Sequence, residues 1–358
     1  MVLAPARDCN VRAIGRGKKP ERPFLAQRVH RTVGSHSQAN RNLRALKDWH
    51  DAERKLAQRA VRGRANRSLM AQRAQPARTR RERDRTATLA EEICARRAVL
   101  FVGAGVSACL GLPSWQELIE RLGEDLGYDA DEFLDLSADF RSLTEFYRLE
   151  KGSLDAPRTW MKREWAVDDA TLHASVAHAL IVRLGFPLIY TTNYDHLLER
   201  AFALHGERCN KMITAKDIAQ ADPALTTIVK FHGDVDDERS LVVTESDYFR
   251  RAAFQDPLDI KLSADALGRT LLFIGYSLSD INMRLLLYRL RGVWLDSGHE
   301  SSQPPSYIFL PKPNPVQERI LDSWGITPLV GANGADESAA LVAFLERLYA
   351  AVERKRRR

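Results

Sequence analysis

Four short polar clusters stand out because each follows a run of apolar residues. Gly103-Ala104-Gly105-Val106-Ser107-Ala108 fits G-x-G-x-x-G/A and follows Ala98-Val99-Leu100-Phe101-Val102. A tight glycine backbone leading into a helix start offers amides to a diphosphate. Thr191-Thr192-Asn193-Tyr194-Asp195 sets two hydroxyls, an amide and a carboxylate behind Leu188-Ile189-Tyr190. His232-Gly233-Asp234 ends the run Thr227-Ile228-Val229-Lys230-Phe231, and an imidazole there titrates near neutrality and can accept a proton from a ribose hydroxyl or from water. Gly275-Tyr276-Ser277-Leu278-Ser279-Asp280 follows Thr270-Leu271-Leu272-Phe273-Ile274, and its Gly and Ser suit contact with ribose or phosphate.

Structural roles compete at two of these clusters. Asn193 or Asp195 can N-cap a helix through Leu197, Leu198 and Phe202, and Ser279 or Asp280 one through Met283, Leu286 and Leu290. The two roles are compatible, because a cap also pins a catalytic side chain. His173, His178, His196, His205 and His299 have no comparable location and are read as structural.

The elements that must position these clusters are legible as alternating strands and helices. Short, continuous, β-branched and aromatic runs read as strands buried on both faces; a further strand is expected at Tyr307–Leu310. Ser114 followed by Glu117 makes a capping box before the stripe Trp115, Leu118, Ile119, Leu122 and Leu126. Residues 128–185 show helical periodicity and no strand, so a mostly helical insert is expected there. The pattern predicts an α/β fold, a doubly wound, Rossmann-like parallel sheet. Ligands of such sheets lie beyond the carboxyl ends of the strands, where all four clusters fall. A nicotinamide dehydrogenase would place an acidic residue at a second strand end about 20 residues after the glycines. Glu124 and Asp125 stand at that distance but within or just after a capped helix, which disfavours hydride transfer.

The chain has 358 residues, 44% apolar and 28% charged, which excludes a wholly disordered or fibrous protein. Its net charge of +7 is uneven: residues 1–85 hold 23 basic and 7 acidic residues, and residues 86–358 hold 31 and 40. The domain organisation expected is therefore a basic arm over 1–85, largely disordered or helical, and a catalytic body over 86–358. Pro5, Pro20, Pro23 and Pro76 interrupt the arm, and only Asn42–Ala74 carries a weak helical stripe through Leu43, Leu46, Trp49, Leu56 and Ala60. Three readings stay open for it. It is a solvated tail, or translated sequence ahead of a true start such as Met70; its arginines contact nucleic acid or an acidic partner; or, Arg-rich and poor in acids, it is an organelle transit peptide. No run is apolar enough for a membrane span, no secretory leader is present, and Cys9, Cys94, Cys109 and Cys209 form no C-x-x-C. A cytoplasmic protein is expected.

Taken together, Gly103-Ala104-Gly105-Val106-Ser107, Thr192-Asn193-Tyr194-Asp195, His232-Gly233 and Gly275-Tyr276-Ser277 resemble, in order and spacing, the sirtuin-like (silent information regulator) NAD-binding domain, over roughly Ala98 to Val330. Leu112-Pro113-Ser114-Trp115 and Phe273–Asp280 are similar to the bacterial branch used as NAD hydrolases in anti-phage defence. The resemblance implies NAD as substrate, with Gly103, Ala104, Gly105, Ser107, Thr192, Gly275 and Ser277 binding it. It implies Asn193 positioning water and ribose, Asp195 on the nicotinamide side, and His232 as base. The four-cysteine zinc ribbon of protein-deacylating sirtuins has no counterpart here, so neither zinc nor any other metal is expected. The activity implied is cleavage of the nicotinamide–ribose bond to give nicotinamide and ADP-ribose, in an NAD-depleting effector of abortive infection. A homo-oligomer and a defence partner such as a HerA-type ATPase are implied with it. The alternatives are a protein deacylase or ADP-ribosyltransferase using the same site, and a non-catalytic NAD or ADP-ribose sensor whose arm binds nucleic acid.

Overall fold

The computed structural model describes residues 84–358 apart from 277, 279, 332, 333 and 335. The stripe expected within Asn42–Ala74 and the basic arm up to residue 83 lie outside the described residues. Seven strands form one sheet: β1 (Ala98–Val102), β2 (Leu188–Thr191), β3 (Cys209–Met212), β4 (Thr226–Lys230), β5 (Thr270–Ile274), β6 (Ser306–Leu310) and β7 (Ile326–Val330). Their order is β3-β4-β2-β1-β5-β6-β7, and every pairing is parallel. The sheet starts in the middle with β1, builds leftward through β2 to the edge strand β3, inserts β4 between those two, then crosses β1 to continue rightward from β5. The doubly wound parallel fold read from the sequence is therefore present, with the topological switch between β1 and β5.

Alternation along β1 explains the two faces. Ala98, Leu100 and Val102 join one apolar core with the helices Val176–Leu184, Leu197–Leu204 and Glu337–Arg356. Val99 and Phe101 join the other, with Pro257–Gly268 and Ile281–Asp296. Because both faces are covered, β1 and β5 read as unbroken apolar runs.

Between β1 and β2 the structure is helical, as expected: Trp115–Leu126, Ala130–Asp135, Phe140–Lys151, Asp155–Glu164 and Asp169–Ala174 precede Val176–Leu184. The Ser114–Glu117 capping box is formed at the first of these. The insert has its own core, including Leu118, Leu122, Phe133, Leu143 and Met161, into which Tyr194 and Val235 also pack. Those two residues follow β2 and β4, so the insert is docked on the loops that carry the second and third polar clusters. Among the described residues no helix is long and apolar enough to cross a membrane.

Candidate active site

The ends of β1 and β5 are locked together by backbone. The Gly105 N–H donates to Gly275 O at 2.8 Å, and the Gly103 N–H to Ile274 O at 3.0 Å. A Cβ on Gly103 would stand 2.4 Å from Gly275 O, and one on Gly275, whose φ is +58°, would stand 2.6 Å from Val106 N. Sequence reasoning gave these glycines to a diphosphate; the structure shows that they first make room for each other. Ala104, Gly105, Ser107 and Gly275 also line a cavity of about 1100 Å³ at this edge of the sheet, whereas Gly103 does not. Ser277 lies outside the described residues.

The facing wall is built from side chains. Thr191 Oγ1 donates to Val102 O and accepts the Asn193 N–H, both at 3.0 Å. That turn lays Asn193 against the glycine loop, where Nδ2 donates to Gly103 O at 3.2 Å and to Ser107 Oγ at 3.0 Å. Ser107 Oγ donates in turn to Asp195 Oδ2 at 2.8 Å, while Asp195 Oδ1 accepts the Leu197 N–H at 3.0 Å. Of the two capping candidates, Asp195 thus makes the bond at the start of Leu197–Leu204. The Asn193 Oδ1 acceptor is buried with no hydrogen-bond partner among the described residues. Thr192, Asn193 and Asp195 all line the cavity. An unmet buried acceptor costs about 1–3 kcal/mol, and a substrate hydroxyl or a water would satisfy this one.

His232 is buried in the same wall, with Nε2 3.1 Å from Asp280 Oδ2. Asp280 caps Ile281–Asp296: Oδ1 accepts the Asn282 and Met283 amides at 2.9 and 3.2 Å. The other candidate, Ser279, lies outside the described residues. Burial alone would raise the Asp280 pKa, but the charge of His232, its hydrogen bond and the two amides hold the carboxyl below the usual range. An ionised Asp280 accepts Nε2–H, so that whenever the ring is neutral its lone pair lies on Nδ1. Tyr248 meets the His232 ring edge-on at 5.5 Å. The Arg141 guanidinium lies 5.0 Å above the Tyr248 ring and is held by Asp139 at 2.6 Å. Sequence reasoning missed the pairing role of Asp280 and missed Tyr248 and Arg141 altogether; a polar cap and two residues without a motif gave no signal for a site.

Beside the cavity, His196 Nε2 lies 2.7 Å from Asp234 Oδ1 and 3.3 Å from Asp236 Oδ2. These are metal-ligand residue types in reach of one another. Lys211 already sits 3.1 Å from Asp234 Oδ2, and Lys162 2.7 Å from Asp236 Oδ1, so the carboxylates are balanced by ammonium groups. The cluster ties the loop after β2 to the loop after β4. The hydrogen bond to Asp234 raises the His196 pKa.

Residues 187–329 match the family model described as SIR2-like domain. Over those residues the chain is similar to sirtuin-like domains. The family match spans β2 to β7 and is shorter than the Ala98–Val330 span of the motif resemblance, leaving the glycine loop outside it. An NAD(+) hydrolase ThsA from Bacillus cereus (strain MSX-D12) is 29% identical over 224 residues, covering 62% of this chain and 44% of that protein. An NAD(+) hydrolase ThsA from Enterococcus faecium is 31% identical over 234 residues, covering 63% and 45%. Defense-associated sirtuin 2 of Bacillus subtilis is 28% identical over 235 residues, covering 63% and 22%. The chain thus spans less than half the length of these relatives. Their alignments, of 224 to 235 residues, are longer than the 143 residues of the family match.

Proposed function

We propose that this chain hydrolyses NAD at the nicotinamide–ribose bond and serves as an NAD-depleting effector in anti-phage defence. The observation that carries this reading is the buried Asn193 Oδ1, without a hydrogen-bond partner among the described residues and set in one cavity wall with Asp195 and the His232–Asp280 pair. The names of the relatives support the same reading. A volume of about 1100 Å³ lies just above the usual range for small-molecule sites, about 300–1,000 Å³, and suits a dinucleotide.

The reaction asks little of the protein in acid catalysis. The C–N bond breaks with its electron pair moving onto the pyridinium nitrogen, so nicotinamide departs neutral, unlike an ordinary glycosidic oxygen that must be protonated. A water oxygen then bonds to the anomeric carbon and loses a proton. Asn193 Oδ1 accepts a hydrogen bond from that water or from a ribose hydroxyl and so orients it. His232 Nδ1, its tautomer set by Asp280, accepts the proton. Asp195, fixed by Ser107 and the Leu197 amide, lies on the nicotinamide side. Ala104, Gly105, Ser107, Thr192 and Gly275 form the rest of the grip on the dinucleotide. The reading carries with it a homo-oligomer kept inactive until triggered, with a HerA-type ATPase as the partner to test; sedimentation finding an active, unregulated monomer counts against that part.

Incubating the purified chain with NAD and resolving nicotinamide and ADP-ribose by chromatography tests the proposal. Since general acid–base groups contribute about 10²–10⁴ in rate, His232→Ala and Asn193→Ala should each nearly abolish turnover. Folded variants that keep the wild-type rate would remove the site assignment. NAD that binds and stays intact, both with the chain alone and with phage-infected cell lysate added as the trigger, would remove the activity.

A further inference from the structure

Lys230 is a charged residue where the fold calls for an apolar one. It ends β4, an interior strand whose preceding residues Thr227, Ile228 and Val229 are all buried. Its side chain has no exposed surface. The ammonium donates to the main-chain oxygen of Asp195. Its carboxylate partner, Glu199, is 3.4 Å away, and neither Glu199 oxygen has a hydrogen-bond partner among the described residues. So loose a pair does little to offset the desolvation of two buried charges, and a well-packed apolar pair would serve stability as well or better. A stability role therefore explains the lysine poorly.

Its placement explains it better. Thr191, Asn193 and Asp195 are bonded to β1 and its glycine loop through Val102, Gly103 and Ser107. On the β4 side, main-chain bonds reach Thr191 and Tyr194, from Phe231 and Val235. At Asp195 the link from β4 is the Lys230 side chain, two residues ahead of His232. We propose that Lys230 is a positioning residue: its buried ammonium ties the Asp195 carbonyl to the end of β4 and so sets Asn193 and Asp195 against His232. This rests on the hydrolase reading of the same cavity.

The test compares Lys230→Met with the double variant Lys230→Met, Glu199→Gln, reading thermal stability, kcat and KM for nicotinamide release, and amide exchange at Asn193 and Leu197. The single variant strands a buried carboxylate and loses stability as well as turnover. The double variant regains stability, yet its kcat stays down about 10²-fold, the effect of a misplaced reacting group, while KM moves little. Exchange at the two amides becomes roughly tenfold faster as the loop opens locally. Wild-type exchange in the double variant overturns the proposal, as does a wild-type kcat. If the wild-type chain releases no nicotinamide, the hydrolase reading fails by itself, and the exchange rates alone decide the part played by Lys230.

Discussion

The two walls of the cavity are built on opposite principles. Where β1 and β5 end, the wall is backbone: Gly103, Gly105 and Gly275 approach so closely that any side chain would collide. Where β2 and β4 end, it is polar side chains joined over long chain distances: Asn193 to Ser107, Asp195 to Ser107 and His232 to Asp280. The first wall is intolerant of volume and indifferent to charge. The second tolerates isosteric change in shape but not loss of charge or hydrogen bonding. On the proposed hydrolase reading, the glycine wall would hold a place for substrate and the polar wall would act on it.

The most disruptive change expected is on the backbone wall. Gly275→Val must accommodate a left-handed φ, about 1–2 kcal/mol for an L-residue, and overpacking of Val106, about 1–3 kcal/mol. Thermal unfolding should register the sum, and NAD turnover should fall because the loop after β1 moves with it. Unchanged stability would mean that the two loops are not locked.

The next effect comes from the helix Val176–Leu184, whose His178 feels the charge of Asp195, and is read through pH. His178 lies buried with Nδ1 2.8 Å from Ser175 Oγ, and its Nε2 has no hydrogen-bond partner among the described residues. Burial pushes its pKa down from 6.5 to about 4, against the opposing pull of Asp195. Between those values the unfolded chain binds the proton and the folded chain does not. The contribution to stability is thus complete above pH 6.5 and falls as pH drops toward 4, by about 3 kcal/mol at most. Urea unfolding at pH 7.5, 5.5 and 4.5 should show this slope and His178→Leu should lack it. An equal slope in both would assign the acid sensitivity to other groups.

Asp280→Asn sharpens the comparison within the polar wall. It keeps shape and leaves a side-chain oxygen for the Asn282 and Met283 amides, but removes the charge that fixes the His232 tautomer. A fall of about tenfold in kcat is expected, about 1.4 kcal/mol, with the base limb of the pH–rate profile displaced. Retained kcat with an unmoved profile would reduce Asp280 to a helix cap.

How far each wall could be read from sequence follows from the same contrast. Glycines at a strand end form a local pattern, and β1, β2, β4 and β5, enclosed on both faces, are short β-rich runs with apolar centres, so their ends and the residues beyond them were legible. The edge strands were not. β3 reads Cys-Asn-Lys-Met and is only partly buried, and β7 contains Pro328, which argues against a strand unless it lies at an edge where a missing N–H is tolerated. In the polar wall the residues at strand ends were found, but the pairings were not. His232 and Asp280 are 48 positions apart, and Asp280 signals only a helix start. Lys230 looked like one more residue of a strand, since nothing local tells a buried charge from an exposed one.

The smallest effect expected concerns the helix that follows β4 and the insert that leans on it. Tyr248 touches His232 only edge-on and lies under Arg141. Such an aromatic contact is worth about 0.5–1.5 kcal/mol beyond its buried area. Tyr248→Leu should therefore lower kcat by no more than about tenfold, and Tyr248→Phe, which keeps the ring, should stay near wild type. The comparison with Asp280→Asn is the informative one. If loss of the ring harms turnover more than loss of the charge, His232 is placed by packing from above, and the division into a backbone wall and a charge-bonded wall must admit the insert as a third participant.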